Sequence, residues 1–114
     1  MLSLNGFKLC MCTIDTDMRC GRNGLSGIVT NHMKFNALDP DTIYIFFNKR
    51  RNQVKLLLFE KDGHSVYHKR LSGGTYALPD FDSGGAVEIT RQQLSLILDG
   101  IEIKYRHRYR HASS

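Results

Sequence analysis

The sequence predicts an α+β fold, a single domain in which an antiparallel β-meander sheet carries two helices packed on one side. Runs of apolar and β-branched residues in the first and middle parts of the sequence predict strands. Apolar residues at helical spacing follow the first run, and a capped amphipathic helix is predicted near the end. A chain of 114 residues holds one compact core. We expect the domain to span residues 1–103 and a basic tail to span residues 104–114.

The first two elements are a strand and a helix. Residues 7–12 alternate weakly and predict the strand. Apolar residues then recur at helical spacing: Leu25, Ile28, Val29 and Met33. Asp17 offers an N-cap oxygen, so we expect a helix over residues 18–33. Glycine disfavours helix interiors, and a helix that starts only near Gly24 is the alternative.

The middle of the chain predicts a meander. Thr42–Phe47 and Gln53–Glu60 are rich in β-branched and aromatic residues, and a polar, basic loop separates them. The Asp62-Gly63 pair is a hairpin signal, after which residues 65–71 alternate as a third strand. A short strand is expected at residues 75–78.

A capping box opens the last helix. Thr90 and Gln93 stand at the spacing in which each side chain satisfies the other residue's backbone N–H. Apolar residues follow on one face: Leu94, Ile97, Leu98 and Ile101. Gly100 stands where a helix ends, and residues 101–105 are expected to continue as a strand.

Composition excludes several classes of protein. No apolar run reaches the ~18 residues needed to cross a bilayer, and the amino terminus lacks the pattern of a secretory signal. We therefore expect a cytoplasmic protein. Cys10, Cys12 and Cys20, with His32 as the nearest fourth ligand, lack the usual zinc-knuckle spacing. Packing explains these thiols better, and no metal or other cofactor is expected.

The positive charge is concentrated in the tail. Four cations alternate there with tyrosine and histidine: Lys104, Arg106, Arg108 and Arg110. Removing them from a net charge of +5 leaves +1. An extended segment of this kind binds polyanions and stacks on unpaired bases, so we interpret it as a non-specific nucleic-acid contact. A disordered terminus or a vector-derived extension is the alternative.

Several blocks along the chain carry a resemblance to a known family. In order they are Asp17-Met18-Arg19 with Gly24-Leu25, Phe46-Phe47-Asn48-Lys49-Arg50-Arg51-Asn52, Lys55-Leu56-Leu57, Phe59-Glu60-Lys61-Asp62-Gly63, Lys69-Arg70-Leu71, Pro79, and Leu98-Asp99-Gly100-Ile101. Together they resemble the TnpB-type accessory protein, the second-reading-frame product of insertion sequence 66 elements. The blocks cover about residues 15 to 103; Cys20 and Phe59 depart from the family pattern.

The resemblance implies a process and its partners. In such elements a separate, larger transposase performs strand transfer, and the TnpB-type protein is a non-catalytic bacterial accessory factor in DNA recombination. DNA and the transposase are the expected partners. The motif residues expected to serve structure are Asp17, Arg19, Gly24, Lys55, Asp62, Gly63, Pro79 and Gly100. A protein-binding adaptor that does not contact DNA is the alternative function.

Carboxylates are the only candidates for catalysis. Asp15, Asp17, Glu60 and Asp62 could gather two metal ions for phosphoryl transfer. Capping and hairpin formation explain the same residues. Since no nucleophile–base pair or phosphate-binding glycine loop accompanies them, we expect no enzyme.

The basic loop is the main candidate site. Lys49, Arg50 and Arg51 repel one another, so folding does not require them, and phosphate contact by a β-ribbon explains them. The alternative is a solvated tip that discourages aggregation. Four neighbours are expected to extend the site: Asn48 and Asn52 as polar contacts, Lys69 and Arg70 as further cations.

Asp17 and Arg19 admit two interpretations. In one, Asp17 caps the first helix and Arg19 anchors a carboxylate or carbonyl across the sheet. In the other, Arg19 binds phosphate at the helix N-terminus. The structural interpretation is favoured because Asp17 would obstruct a phosphate.

Overall fold

In the part of the chain that the structure describes, five strands form one sheet in the order β4-β3-β2-β1-β5. The computed structural model describes residues 4–78 and 84–98. The elements in chain order are β1 (Lys8–Cys12), α1 (Arg22–Ile28) with a π-helical continuation (Val29–Met33), β2 (Thr42–Phe47), β3 (Gln53–Glu60), β4 (Gly63–Arg70), β5 (Ala86–Ile89) and helix α2 (residues 91–98). The predicted α+β class is confirmed. None of the helices in the described part of the chain has the length and apolarity needed to span a bilayer.

The sheet is mixed rather than wholly antiparallel. β2, β3 and β4 form the predicted antiparallel meander. β1, however, lies parallel to β2, with Lys8 opposite Thr42, and β5 lies antiparallel to β1. The prediction of an all-antiparallel sheet is wrong at β1, because a helical crossover through α1 separates β1 from β2 and returns the chain in the same direction.

The two helices cover opposite faces of the sheet. Leu25 of α1 and Val29 of its π-helical continuation pack on the face that carries Tyr44, whereas Leu94 and Ile97 of α2 pack on the other face. The prediction that both helices lie on one side is therefore wrong. β2 is buried at every position, so its successive side chains need apolar cover on both sides.

Several element boundaries differ from the expectations. Helix α1 begins at Arg22, between the two predicted starts, after the N-cap residue Gly21. Residues 75–78 are not a strand. Instead, the Tyr76 side chain enters the core against Phe47, with ring centroids 5.3 Å apart. Strand β5 was not predicted from the sequence.

The capping box of α2 is confirmed. The Thr90 amide donates to Gln93 Oε1 at 2.8 Å, and the Gln93 amide donates to Thr90 Oγ1 at 3.0 Å. Leu94 and Ile97 are buried as expected, while Leu98 is partly buried.

Two glycines of the family motif have structural explanations. A Cβ at Gly24 would lie 3.2 Å from the Cys20 sulfur, so the glycine permits close packing there. Gly63 begins β4 rather than sitting inside the β3–β4 turn, whose two residues are Lys61 and Asp62. The predicted Asp-Gly turn is thus displaced by one residue, and Lys61 takes the positive φ of 52°.

Candidate nucleic-acid interface

The β2–β3 turn, residues 48–52, is called here the basic turn. Asn48 organises its backbone. The Asn48 carbonyl accepts from the Arg51 amide at 3.0 Å, and Asn48 Oδ1 accepts from the amides of Asn52 and Gln53, both at 3.0 Å. Asn48 Nδ2 also donates to Asn52 Oδ1 at 2.6 Å. These bonds engage both ends of the Asn48 side chain and Oδ1 of Asn52, so the Asn48 side chain holds the turn.

The segment that follows β4 also holds the basic turn. The Arg51 carbonyl accepts from the Tyr76 amide at 2.6 Å, and the Asn52 carbonyl accepts from the Leu71 amide at 2.8 Å. Lys49, Arg50 and Arg51 remain exposed. The structure therefore presents three solvated cations on an anchored backbone.

The end of β4 lies beside the basic turn. Arg70 is opposite Gln53 in the β3–β4 register, and Lys69 is opposite Val54. Because successive strand residues point to opposite faces, Lys69 lies on the α2 side of the sheet and Arg70 on the α1 side. The hairpin geometry brings both predicted residues to the end of the sheet that carries the basic turn.

The loop before α1 adds an ion pair to the same end. Arg19 Nη2 lies 2.6 Å from Asp17 Oδ2, and the Arg19 amide donates to Asp17 Oδ1 at 2.9 Å. The hydrogen bonds from the Arg19 side chain and amide lower the pKa of Asp17 from 3.8 to about 2. The Arg19 side chain is otherwise 92% exposed.

The structural role expected of this pair needs correction. Asp17 does not cap α1, whose N-cap is Gly21 without a side-chain hydrogen bond. Arg19 pairs with Asp17 two residues away rather than with a group across the sheet. The chain turns between these residues and the helix, which places Asp17 too early for the cap.

An open cleft separates this loop from the basic turn. It encloses about 500 Å³. Its lining comes from both segments: Thr16, Asp17, Met18, Arg19, Asn48, Lys49, Arg50 and Gln53. A backbone hydrogen bond of 3.0 Å from Thr16 N to the Phe47 carbonyl joins the two sides at their base. The loop and the turn therefore form one surface.

Lys55 holds the loop before α1 in place from inside the fold. Its side chain is buried at 8% exposure. Nζ donates to the carbonyls of Met18 and Cys20 at 2.8 and 2.9 Å. The sequence analysis placed Lys55 in the family motif without giving it this role. The available signal was a single lysine that interrupts the apolar run of β3.

Charge divides the sheet into two ends. The basic end is defined by six cations: Arg19, Lys49, Arg50, Arg51, Lys69 and Arg70. The opposite end, at the β3–β4 turn and the starts of β1 and β2, carries four carboxylates and two lysines: Asp39, Asp41, Glu60, Asp62, Lys8 and Lys61. Asp15 and Asp17 precede α1 at the basic end, so the sheet separates them from Glu60 and Asp62. The carboxylates considered for a two-metal site are not brought together.

The tail cations Lys104, Arg106, Arg108 and Arg110 lie outside the described residues, as do Pro79 and Gly100. Their predicted roles stay predictions. Among residues 4–78 and 84–98, no three histidine, cysteine or carboxylate side chains are grouped to hold a metal ion. Cys10 and Cys12 are buried on the α1 face, and burial raises the pKa of Cys10 to about 11.

Comparisons with known proteins add the family. The family described as "IS66 Orf2 like protein" matches residues 7–108. The uncharacterized protein y4hO of Sinorhizobium fredii (strain NBRC 101917 / NGR234) is 33% identical over 100 residues, which cover 88% of this chain and 84% of that protein. The uncharacterized protein y4jC of the same strain is 25% identical over 97 residues, covering 85% and 81%. No solved structure matches the chain.

Proposed function

Because this chain belongs to the family of IS66 Orf2-like proteins, which ties it to transposition as an accessory protein, we propose that it binds DNA through the basic end of its sheet and works with the element's separate transposase. The observation that carries the proposal is the β3–β4 register, which sets Lys69 and Arg70 beside the basic turn. The proposal places the protein in the cytoplasm, with the DNA on which it acts.

The basic turn suits phosphate contact. β2 and β3 pair on their outer sides with β1 and β4, so the turn at the end of the sheet, and not a free β-ribbon, would meet the DNA. Cations on both faces of this end can contact phosphates. Because hydrogen bonds already fix the backbone of the basic turn, the turn loses less conformational entropy when it binds DNA. Since the Asn48 side chain is engaged inside the turn, the exposed cations supply most of the turn's contacts, and contacts to phosphate carry little sequence information.

A non-catalytic role agrees with the placement of the carboxylates. Two-metal chemistry needs carboxylates gathered around two metal ions that lie about 4 Å apart. Asp17 is engaged by Arg19 at one end of the sheet, and Asp62 forms a turn at the other. We therefore propose that strand transfer belongs to the transposase alone.

A salt titration of DNA binding tests the proposal. The triple variant Lys49→Ala, Arg50→Ala, Arg51→Gly should weaken binding to duplex DNA at every sequence. For three lost phosphate contacts, the slope of log affinity against log salt should fall by about 2.7. The matched control is Lys34→Gly, Lys61→Gly, Arg91→Ala, which removes the same charge from exposed positions away from the basic end. It should keep the parent slope.

The outcomes separate the candidate functions. A triple variant that folds and keeps the parent's salt slope contradicts DNA binding by the basic turn. If that variant also fails to support transposition in cells, the turn contacts the transposase, and the adaptor without DNA contact is the better description. A variant that folds, binds and supports transposition like the parent leaves only protection against aggregation as the role of the turn.

A further inference from the structure

Strand β4 leaves a long edge of the sheet open. β4 has eight residues, and no other strand in the described part of the chain pairs with its outer side. Every residue from Ser65 to Arg70 is exposed. The other edge strand, β5, has four residues. An exposed edge of this length is a template for pairing with another chain.

Hydrogen-bond alternation determines which β4 residues face outward. Glu60 and Gly63 close the two-residue turn as a hydrogen-bonded pair, so alternate residues from Gly63 onward bond to β3. The bond from the Leu71 amide to the Asn52 carbonyl keeps the same parity. The residues between them direct N–H and C=O away from the sheet: His64, Val66, His68 and Arg70.

Apolar side chains stand in the middle of this open edge. Val66 is 38% exposed and Tyr67 is 45% exposed, and the strand continues into Lys69 and Arg70. Adjacent to the other end of β4 are Glu60 and Asp62. The edge is thus apolar at its centre and basic at one end, whereas the other end, with Lys61 between Glu60 and Asp62, carries one net negative charge.

We propose that a second copy of this chain pairs antiparallel with β4 across a two-fold axis, with Tyr67 opposite the partner's Tyr67. Antiparallel pairing sets the basic end of each strand against the acidic end of the other. Parallel pairing would instead align Lys69 and Arg70 with their like-charged equivalents. A two-fold axis joins identical surfaces, as in most homodimers.

The outward hydrogen bonds fix the register. Residues whose N–H and C=O point away from the sheet must pair with residues of the same kind in the partner. The two-fold axis therefore passes between one residue and the same residue of the partner, and not midway between two successive positions. With the axis at Tyr67, Val66 meets the partner's His68, and the two tyrosines form a non-hydrogen-bonded pair, in which side chains lie closest.

The same register pairs opposite charges. Ser65 comes opposite the partner's Lys69. The Ser65 hydroxyl donates to the Glu60 carboxylate, which holds a negative charge at the place that the partner's lysine reaches. An axis at Val66 would put Tyr67 opposite the partner's Ser65 and lose the aromatic pair.

Disulfide trapping tests both dimer and register in the full chain. Under mild oxidation, Tyr67→Cys should form a cross-linked dimer of twice the 13.0 kDa chain mass. Ser65→Cys is the matched control, because four residues of stagger separate the two Ser65 positions by about 13 Å, well beyond disulfide reach. The parent chain is the blank for Cys10, Cys12 and Cys20.

Light scattering supplies the second measurement. The parent and Tyr67→Phe should have the dimer mass, whereas Tyr67→Arg, which sets two cations face to face, should have the monomer mass with its circular dichroism unchanged. A parent that is monomeric at every concentration overturns the proposal. The edge of β4 would then be left to another occupant, such as the chain's own tail or the transposase. Cross-linking of Ser65→Cys but not Tyr67→Cys, or a Tyr67→Arg variant that stays dimeric, overturns it as well. These readouts contain no DNA, so they stand apart from the DNA-binding proposal.

Discussion

The two hairpin turns of the meander each contain one residue in the left-handed backbone conformation, but they are anchored differently. Arg51 in the basic turn has φ of 57°, and Lys61 in the β3–β4 turn has φ of 52°. Left-handed conformations cost a residue with a side chain about 1 kcal/mol relative to glycine. Each turn bears this cost with a basic residue at its tip.

What differs between the turns is the anchoring. The basic turn is held by the Asn48 side chain and by the amides of Leu71 and Tyr76. In the β3–β4 turn, Lys61 and Asp62 are exposed, and the adjoining Ser65–Glu60 hydrogen bond lies at the surface. Part-buried and long-range hydrogen bonds are thus concentrated at the basic end. A hairpin can form without such hydrogen bonds, as the β3–β4 turn does. The additional bonds therefore make the basic turn the more rigid of the two.

The largest expected effect comes from the buried lysine behind the basic end. Lys55→Ala should lower the free energy of unfolding by about 3 kcal/mol, because it removes two charge-assisted hydrogen bonds and the buried stem. Lys55→Met keeps the stem and should cost about 1–2 kcal/mol, since removal of a buried charge offsets part of the loss. Urea denaturation measures both. A Lys55→Met variant as stable as the parent would show that the hydrogen bonds to Met18 and Cys20 contribute nothing.

The next effect compares the turns directly. Asn48→Ala should cost about 1–2 kcal/mol, because the Asn52 and Gln53 amides lose their acceptor. Asp62→Ala, at the exposed β3–β4 turn, should stay within about 0.5 kcal/mol of the parent. Thermal melting of the three proteins gives the ranking. If the aspartate costs as much as the asparagine, the anchoring of the two ends is not different.

Glycine substitutions should separate backbone strain from charge. Arg51→Gly and Lys61→Gly should each raise the free energy of unfolding by about 0.5–1 kcal/mol, since each relieves a positive φ and glycine's larger unfolded entropy offsets part of the gain. Only Arg51→Gly should reduce the salt slope of DNA binding, by about 0.9. A similar reduction with Lys61→Gly would contradict the assignment of binding to the basic end.

The smallest effect is a titration shift at an exposed ion pair. In Arg19→Ala the pKa of Asp17 should rise from about 2 towards its ordinary 3.8, because the hydrogen bonds from the Arg19 side chain are lost. A lowered pKa means that the carboxylate stabilises the fold above pH 3.8, and that this contribution disappears as the pH falls through about 2. Carboxyl NMR titration measures the shift. The pKa of Asp39, lowered by the Asp41 amide and the Thr42 hydroxyl at the opposite end, is the internal control and should not move.

Local patterns predicted the elements whose neighbours in sequence are also neighbours in space. β2, β3 and the capping box of α2 fall where the sequence places them, because residue type and short spacing determine them. β5 was missed, since Ala86–Ile89 is short and its pairing with β1 joins residues more than 70 positions apart. The direction of β1 was missed for the same reason.

The candidate site shows the same division. Residue type alone predicted the cations of the basic turn, and hairpin counting predicted that Lys69 and Arg70 join them. The hydrogen bonds of Lys55 to Met18 and Cys20 span more than 30 residues and leave no local pattern. Asn48 was predicted as a DNA contact, because side-chain chemistry does not reveal that the turn itself uses the amide.

The position of β1 in the sheet also sets the order in which the fold can assemble. β2, β3 and β4 are joined by short turns, so their pairings close small loops and can form early. β1 precedes them in the chain, yet it reaches its full set of partners only when β5 docks on its other edge. During synthesis, β1 is therefore made before both of its neighbours, and its apolar side chains are fully enclosed only after β5 has been made.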